Sequence, residues 1–388
     1  MNQKKEADLN TMIPLTVPDF NQDDQNAVSK AVASTFISGD GPECREFEKE
    51  LASYMNMKHA FFTTSCTAAL DLSLMVHDFP KNSEVIIPNF TFTSTALAPI
   101  LNNLKIRLAD VDPRNGNLLP GEIEKLVTKK TVAVMPVDYA GNPAEMNQIN
   151  EIANKHNLVV IHDAAQSFGA TYHGKKTGNL ANLTCFSFHG TKNLTVGEGG
   201  ALVTNDDALA SKIIIAREKG TDKHSYISDT KKQGYYEYVA KGNSYVQSDI
   251  LAALGRSQLK RIDSMNGRRR KVAEYYISQL SKYEGIYLPK GTANAVSNWH
   301  LFYLLIPSDL RFKFIEQVKS HGVMSNVHYT PLHLNKYYKE MQLGTDADFP
   351  GSMTFYNSLV RIPLFSAITD SQAEKVAEVT CKVLDSIL

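Results

Sequence analysis

Short apolar runs recur along the first half of the chain, and segments with apolar residues at helical spacing lie between them. The pattern predicts strands over residues 59–62, 84–87, 106–111, 132–137, 158–161 and 201–204. It predicts helices over residues 21–35, from 43 onward, and over 68–75, 93–101, 121–127 and 146–156. Short apolar strands alternating with helices indicate an α/β fold, with a mainly parallel sheet between two helical layers. Ligands of such sheets bind at the carboxyl ends of the strands.

The pattern changes after Thr204, where the segments become longer and more polar. Helices are predicted over residues 211–219, 248–265 and 267–283 and from 371 onward, with a polar, tyrosine-rich stretch over 222–238. Strands are predicted from residue 286, over 300–306 and over 324–329. A chain of 388 residues is long enough for two domains. We expect a large domain over residues 1–250 and a smaller C-terminal α/β domain over 251–388.

Charge and cysteine content exclude several classes of protein. The chain has 41 Lys and Arg against 41 Asp and Glu, so no net charge attracts it to nucleic acid or to an anionic membrane. Its four cysteines form no C-x-x-C pair, which argues against a disulfide framework and a zinc site. The N-terminus has no apolar signal region, and no apolar run is long enough to span a bilayer. We therefore expect a cytosolic protein that binds no metal.

One lysine stands in a distinctive segment, residues 185–200, with the sequence CFSFHGTKNLTVGEGG. Lys192 follows an aromatic strand end and precedes a glycine-rich turn, so rigid backbone holds it on both sides. Such a lysine suits covalent chemistry with an aldehyde, because its amine must be neutral near pH 7 to act as a nucleophile. A lysine considered alone is more often a surface residue. The assignment therefore depends on its neighbours.

Three further segments lie at predicted strand ends. Residues 63–67, Thr-Thr-Ser-Cys-Thr, offer free N–H groups and hydroxyls to a phosphate, although helix capping is the simpler explanation. Asp163 follows a buried strand and needs a partner, either a protonated pyridine nitrogen or nearby backbone donors. Residues 88–95 place an aromatic ring where it can stack on a heterocycle, although core packing is commoner. Taken together with the lysine, these groups match pyridoxal 5′-phosphate (PLP) part by part.

The same residues resemble the DegT/StrS family of PLP-dependent sugar aminotransferases, within the fold-type I aminotransferases. The resemblance extends from Ile13 to Phe365. It is strongest at residues 41–42 with 46–48, 65–70, 163–166, 187–193 and 197–200. It implies a three-layer αβα large domain, a smaller C-terminal domain, and a homodimer with active sites at the interface.

The resemblance assigns roles around the cofactor ring. Lys192 would bind the cofactor aldehyde covalently and later move a proton between the substrate Cα and the cofactor C4′. Asp163 would keep the pyridine nitrogen protonated, which makes the ring an electron sink. Gln166 would hydrogen-bond the ring hydroxyl, and Phe92 would stack on the ring.

The resemblance also implies sites for the phosphate and the substrate. The phosphate-binding set is Ser65, Cys66, Thr67 and Ser187, with Asn243 reaching the phosphate of the second subunit across the dimer. Cys66 stands where the family often has glycine, and a backbone contact tolerates this change. The substrate-binding candidates are His189, His328, Tyr329 and His333. Packing is an equally open role for the last three.

Residues 217–222 and 244–249 most resemble the 4-aminotransferases of bacterial surface-polysaccharide synthesis, including that of O-antigen. The resemblance implies that the amino group of L-glutamate passes, through the pyridoxamine phosphate (PMP) form, to C4 of a dTDP-4-keto-6-deoxyhexose. An enzyme acting at C3, or on a UDP- or GDP-linked sugar, is the alternative. The family's dehydratase branch carries His where Lys192 stands, and a non-catalytic regulatory protein on this fold is expected to lack Lys192 or Asp163.

Overall fold

Seven strands form the central sheet of the computed structural model, which describes residues 12–222 and 236–388. They are β1 (His59–Thr63), β2 (Glu84–Pro88), β3 (Lys105–Ala109), β4 (Thr131–Val134), β5 (Val159–Asp163), β6 (Leu183–Ser187) and β7 (Gly200–Thr204). Their order is β1-β7-β6-β5-β4-β2-β3, and of these seven strands β7 runs in the direction opposite to the other six. The predicted α/β fold with a mainly parallel sheet is confirmed. Most of the predicted tyrosine-rich stretch, residues 223–235, lies outside the described residues.

Helices pack on both faces of the sheet because alternate strand residues point to opposite sides. Phe61 and Leu202 pack into one apolar cluster, while Phe62 and Val203 pack into another on the opposite face. The helices of this part are α1 (Gln22–Ala33), α2 (Pro42–Met55), α3 (Cys66–Met75), α4 (Thr93–Leu101), α5 (Pro120–Leu126), α6 (Met146–Lys155) and α7 (Asp207–Arg217). The predicted alternation of strands and helices therefore becomes three layers.

The C-terminal part has an apolar cluster of its own around a two-stranded antiparallel sheet. Its elements are α8 (Asp249–Leu259), α9 (Ile262–Leu280), β8 (Phe302–Leu305), α10 (Arg311–Ser320), α11 (Lys336–Lys339), α12 (Pro350–Ser358), β9 (Leu359–Ile362) and α13 (Asp370–Ile387). Helix α8 packs on α1 and α2 rather than in this cluster. The division at residue 250 stays a prediction. Within residues 12–222 and 236–388, no helix combines the length and apolarity that a membrane span requires.

Several predicted elements differ from the observed ones. Helix α7 starts four residues early, because Asp206 caps it by accepting the N–H groups of Ala208 and Leu209. The break between the predicted helices 248–265 and 267–283 lies earlier in the structure, between the end of α8 at Leu259 and the start of α9 at Ile262. The predicted strand 324–329 is wrong, since Asn326 makes only an isolated bridge to Arg361. The strand predicted from residue 286 is reduced to a single bridge at Tyr287.

Candidate active site

A cavity of about 400 Å³ lies at the carboxyl ends of β1, β5 and β6. Most of the predicted site residues meet in its wall: Ser65, Cys66, Thr67, Phe92, Asp163, Gln166, Ser187, His189, Lys192, His328 and Tyr329. Asn243 and His333 are not in the wall. The structure thus brings eleven of the thirteen predicted site residues together. Their individual roles stay predictions.

Lys192 lies on the loop that joins β6 to β7. This loop is hydrogen-bonded to itself, since the N–H of Lys192 donates to the carbonyl of His189 and the N–H of Gly190 to that of Gly197. Burial lowers the pKa of Lys192 to about 8, and the nearby Cys66 and Asp163 oppose that shift. A substantial fraction of the amine is therefore neutral near physiological pH, as a nucleophile requires.

The neighbour of Lys192 anchors the loop to the C-terminal half of the chain. The Asn193 side-chain amide donates to Oδ1 of Asn266 at 2.8 Å and to the carbonyl of Asn298 at 2.9 Å. Its oxygen lies 3.1 Å from Nδ1 of His300. All of these partners are buried. Because every hydrogen-bonding atom of this amide is occupied, the backbone beside Lys192 has little freedom to move.

The low pKa predicts how cofactor-free protein captures PLP. Only the neutral amine attacks an aldehyde, so the capture rate follows the neutral fraction of Lys192. We expect the rate to rise about tenfold between pH 6 and pH 7 and to level off above about pH 9. Stopped-flow absorbance across this pH range gives the midpoint. A midpoint near the ordinary lysine value of 10.5 would contradict the buried, desolvated amine.

Asp163 ends β5 and is buried at the cavity. Its carboxylate accepts the hydroxyl of Thr95 at 2.8 Å and the N–H of Ala165 at 3.2 Å, and the Cys66 thiol lies 4.0 Å away. Burial raises the pKa of Asp163, and the two hydrogen bonds and Lys192 partly counteract this. A cation next to the carboxylate would favour the ionised form further. A protonated pyridine nitrogen is such a cation.

The N-terminus of α3 forms the predicted phosphate cradle. Ser65 caps this helix by accepting the N–H of Ala68 at 3.0 Å, so the simple capping interpretation holds for its side chain. The N–H groups of Cys66 and Thr67 have no acceptor within the helix, because they lie in its first turn. Ser187, at the end of β6, lines the same part of the cavity. Two free N–H groups and the helix dipole suit a phosphate.

Gly200 lets β7 approach this cradle closely. It pairs with both Thr63 and Ser187, and a Cβ atom there would lie 2.4 Å from the backbone nitrogen of Cys66. Contacts this short force the backbone to shift. A side chain at position 200 would therefore displace the first turn of α3.

We predict that Gly200→Ala lowers the melting temperature and weakens retention of PLP. The expected loss of unfolding free energy is about 1–3 kcal/mol, the range for overpacking. Gly267→Ala in α9 is the matched control, since nothing lies within 4 Å of its added Cβ. Calorimetry and dialysis of the loaded protein measure both effects. Equal stability and equal retention in Gly200→Ala and wild type would contradict the close approach.

Phe92 and Gln166 line the same cavity as Asp163. Phe92 is 52% exposed, and its ring centroid lies 5.6 Å from that of Tyr329, so it is not a core aromatic. The side-chain oxygen of Gln166 accepts the N–H of Ala140 at 2.8 Å. The Gln166 amide nitrogen donates to the Tyr329 hydroxyl at 3.4 Å, and its second hydrogen is available to a ligand.

His189 lies in the cavity wall with an exposed ring, and its Nδ1 is 3.0 Å from the Thr191 hydroxyl. Two other predicted residues lie elsewhere. His333 is buried, with Nδ1 2.8 Å from Nδ2 of Asn89 and Nε2 3.0 Å from Asp346, which favours the packing role. Asn243 donates to the Tyr245 hydroxyl at 3.2 Å within its own chain. Its contact with a second subunit stays a prediction.

Sequence reasoning missed three residues of the site region. Thr95 bonds Asp163, Asn193 anchors the lysine loop, and Arg361 lies 2.9 Å from Nδ1 of His328. Arg361 carries a signal that could have found it, because it is a charge in the otherwise apolar strand β9. Thr95 and Asn193 carry no such signal, since their partners are distant in sequence.

The donor set fits PLP. A partly neutral lysine, a buried carboxylate, a helix N-terminus with free N–H groups and a half-exposed ring surround a single cavity, and each suits a different part of that cofactor. The bound cofactor would supply an electron sink that no side chain provides. The fold and the site therefore define a PLP-dependent enzyme.

Comparison with known proteins agrees with the assignment of a PLP-dependent enzyme. The model of the DegT/DnrJ/EryC1/StrS aminotransferase family matches residues 18–380, so the chain belongs to this family. The spore coat polysaccharide biosynthesis protein SpsC of Bacillus subtilis is 33% identical over 95% of this chain and 96% of its own length. GDP-perosamine synthase of Caulobacter vibrioides is 32% identical over 96% of this chain and 98% of its own.

A solved structure supports the cofactor. The PLP form of Spr1654 from Streptococcus pneumoniae, described as a sugar aminotransferase, has a TM-score of 0.90 and 25% identity, covering 97% of this chain and 100% of that chain. The chain is thus a sugar aminotransferase that uses PLP.

Proposed function

We propose that the enzyme moves the amino group of L-glutamate to C4 of a dTDP-4-keto-6-deoxyhexose. The products are a dTDP-4-amino-4,6-dideoxyhexose and 2-oxoglutarate, and we propose that they are made in the cytoplasm for a surface polysaccharide such as O-antigen. The support is the resemblance of residues 217–222 and 244–249 to the 4-aminotransferases, together with the position of 244–249 beside the end of β1, where it is hydrogen-bonded to 217–222.

The two segments make one substructure beside the cavity. The N–H of Tyr245 donates to the carbonyl of Arg217 at 2.9 Å, and Arg217 is buried between Asp40 and Glu48. Val246 pairs with Thr63 at the end of β1, directly before the phosphate cradle. A segment this close to the cradle can influence which substrate the cavity accepts.

The rim of the substructure also reaches the lysine loop. The Gln247 amide donates to the carbonyl of Glu198 at 2.9 Å, and Glu198 lines the cavity. In the proposed reaction Lys192 moves the proton, while hydrogen-bonding side chains in the wall, such as His328 and Tyr329, hold the sugar. Hydroxyl and imidazole groups suit a ligand that is rich in oxygen.

A GDP-linked keto sugar is the second candidate, because a GDP-perosamine synthase is 32% identical over nearly the whole chain. PLP-loaded protein is incubated with L-glutamate and either dTDP-4-keto-6-deoxyglucose or GDP-4-keto-6-deoxymannose. NMR of the product gives the aminated carbon and its configuration. We expect amination at C4 of the dTDP sugar, with kcat/KM at least about tenfold above that for the GDP sugar. The reverse ratio would overturn the proposed nucleotide. Turnover of neither 4-keto sugar, with turnover of a dTDP-3-keto-6-deoxyhexose assayed in parallel, would assign C3 instead. Both outcomes leave the aminotransferase class intact.

We further propose a homodimer in which Asn243 reaches the phosphate site of the second subunit. Lys192→Ala and Asn243→Ala proteins are each expected to have reduced activity. If each site takes Lys192 from one subunit and Asn243 from the other, a mixed dimer contains one intact site. Refolding an equal mixture should therefore recover activity above the average of the two variants measured alone. No recovery in mixed dimers, verified by mass spectrometry, would contradict shared sites.

A further inference from the structure

Arg361 is a buried cation without a counter-ion. It lies on β9 and is 8% exposed. Its guanidinium lies 2.9 Å from Nδ1 of His328, and its Nε has no hydrogen-bond partner. Among residues 12–222 and 236–388, no carboxylate lies within ion-pair distance of it. Burying an unpaired charge costs several kcal/mol, about the cost of breaking a buried ion pair. Such a residue needs a functional explanation.

The contact with His328 has a definite chemical consequence. A guanidinium has only donors, so Nδ1 of His328 must be the unprotonated acceptor. The hydrogen of the neutral ring then lies on Nε2. Burial and the positive charges of Arg361 and Lys192 lower the pKa of His328 to about 4.

The surroundings of His328 favour the same state. Arg361 faces it from β9, Lys192 from the loop between β6 and β7, and His300 is close enough to interact electrostatically. The hydroxyl of Tyr139 donates to the backbone carbonyl of His328, which fixes the main chain. The ring of the neighbouring Tyr329 lies 5.7 Å from the imidazole. These groups are cationic or uncharged, so none of them stabilises an imidazolium.

The imidazole ring of His328 is part of the cavity wall, and its Nε2 is the atom available to a ligand. His328 lines the cavity together with Lys192 and Tyr329. Within the part of the chain that the structure describes, its Nε2 has no hydrogen-bond partner. A neutral imidazole that already accepts at Nδ1 can only donate at Nε2. Its complement is an oxygen acceptor on a ligand in the cavity.

We propose that Arg361 is a positioning residue that holds His328 as the neutral Nε2–H tautomer, so that His328 donates a hydrogen bond to a carbonyl or hydroxyl oxygen of the sugar substrate. His328 then accepts no proton during turnover. Proton movement remains with Lys192. The inference depends on the aminotransferase class and not on which nucleotide the sugar carries.

Nitrogen NMR of the PLP-loaded enzyme tests the tautomer directly. The protein is labelled with ¹⁵N-histidine, His328 is assigned by comparison with His328→Gln, and the ring shifts are followed from pH 5 to pH 9. We expect an unprotonated Nδ1, a protonated Nε2, and no titration over this range. An Nδ1–H tautomer, or a midpoint near the ordinary histidine value of about 6.5, would overturn the proposal. This result needs no turnover.

Arg361→Met removes the charge and the donor while keeping an unbranched side chain. We expect the midpoint of His328 to rise toward about 6.5 and both tautomers to appear. The KM for the keto sugar should rise about tenfold at pH 7, with a smaller change in kcat, because one hydrogen bond to the substrate is weakened. Arg361→Lys, which keeps a cationic donor, should recover part of this loss.

A double variant separates action through His328 from a structural role. In the His328→Gln background, Arg361→Met should change the KM for the keto sugar less than about twofold, because its target is gone. An equal tenfold loss in both backgrounds would overturn the proposal. If Arg361→Met does not fold, the titration of wild type alone decides the question.

Discussion

Lys192→Ala is expected to lower kcat by more than about 10³-fold, since it removes both the covalent anchor of the cofactor and the proton carrier. The amine is held on a self-bonded loop beside Asp163, and no other lysine lines the cavity in the described residues. Lys125→Ala, on the exposed surface of α5, is the matched control and should retain full activity. Coupled detection of 2-oxoglutarate gives the rates.

The variant should still bind PLP without a covalent bond, because the phosphate cradle is unchanged. Reduction with borohydride followed by peptide mapping should then label Lys192 in wild type and nothing in Lys192→Ala. Partial recovery of activity with added methylamine would support the role of the amine. Retention of more than a tenth of the wild-type kcat would contradict it.

Asp163→Asn is expected to lower kcat by about 10²- to 10³-fold, the usual cost of losing one preorganised electrostatic partner. The buried carboxylate accepts hydrogen bonds from Thr95 and Ala165, and these bonds and the charge of Lys192 only partly offset the rise in its pKa, so a cation at the cofactor position would stabilise it further. Asp163→Glu, which keeps the charge, should lose less. Steady-state kinetics with saturating PLP separate catalysis from cofactor binding.

Stability gives an independent check on Asp163. Its folded pKa is raised, so burial disfavours the ionised form, and the cofactor-free protein gains stability as pH falls through that pKa. The neutral side chain introduced by Asp163→Asn should therefore leave the melting temperature at pH 7 without PLP unchanged or higher. A fall in both stability and activity would instead indicate a structural role for the carboxylate.

Local patterns explain which features could be predicted from the sequence. The strands that contain Val85 and Val160 are short, apolar and bounded by turns, so the sequence pattern of each strand predicts it without knowledge of the neighbouring strands. Asp163 is the last residue of β5, and Lys192 lies five residues beyond the end of β6, which places both at the same edge of the sheet. The predicted position of the site therefore follows from where the strands end and from the residues next to those ends.

Long-range contacts explain the site residues that the sequence did not reveal and the strand that it predicted wrongly. Asn193 is held by residues of α9 and of the segment before β8. The Thr95 hydroxyl, in the first turn of α4, donates to Asp163 at the end of β5. The segment 324–329, which contains His328, is predicted as a strand, yet the His328 carbonyl accepts from the Tyr139 side chain, which lies far away in the sequence. No periodicity encodes these contacts.

The central claim is that the cavity around Lys192 carries out transamination on a keto sugar. Its most direct measurement is the visible absorption of PLP-loaded enzyme, followed first with L-glutamate alone and then with the keto sugar. The account predicts that glutamate removes the cofactor absorption of wild type, that the sugar restores it, and that Lys192→Ala shows neither change on the same timescale. An absorption that no amino donor alters, in protein with full PLP occupancy, would contradict the account.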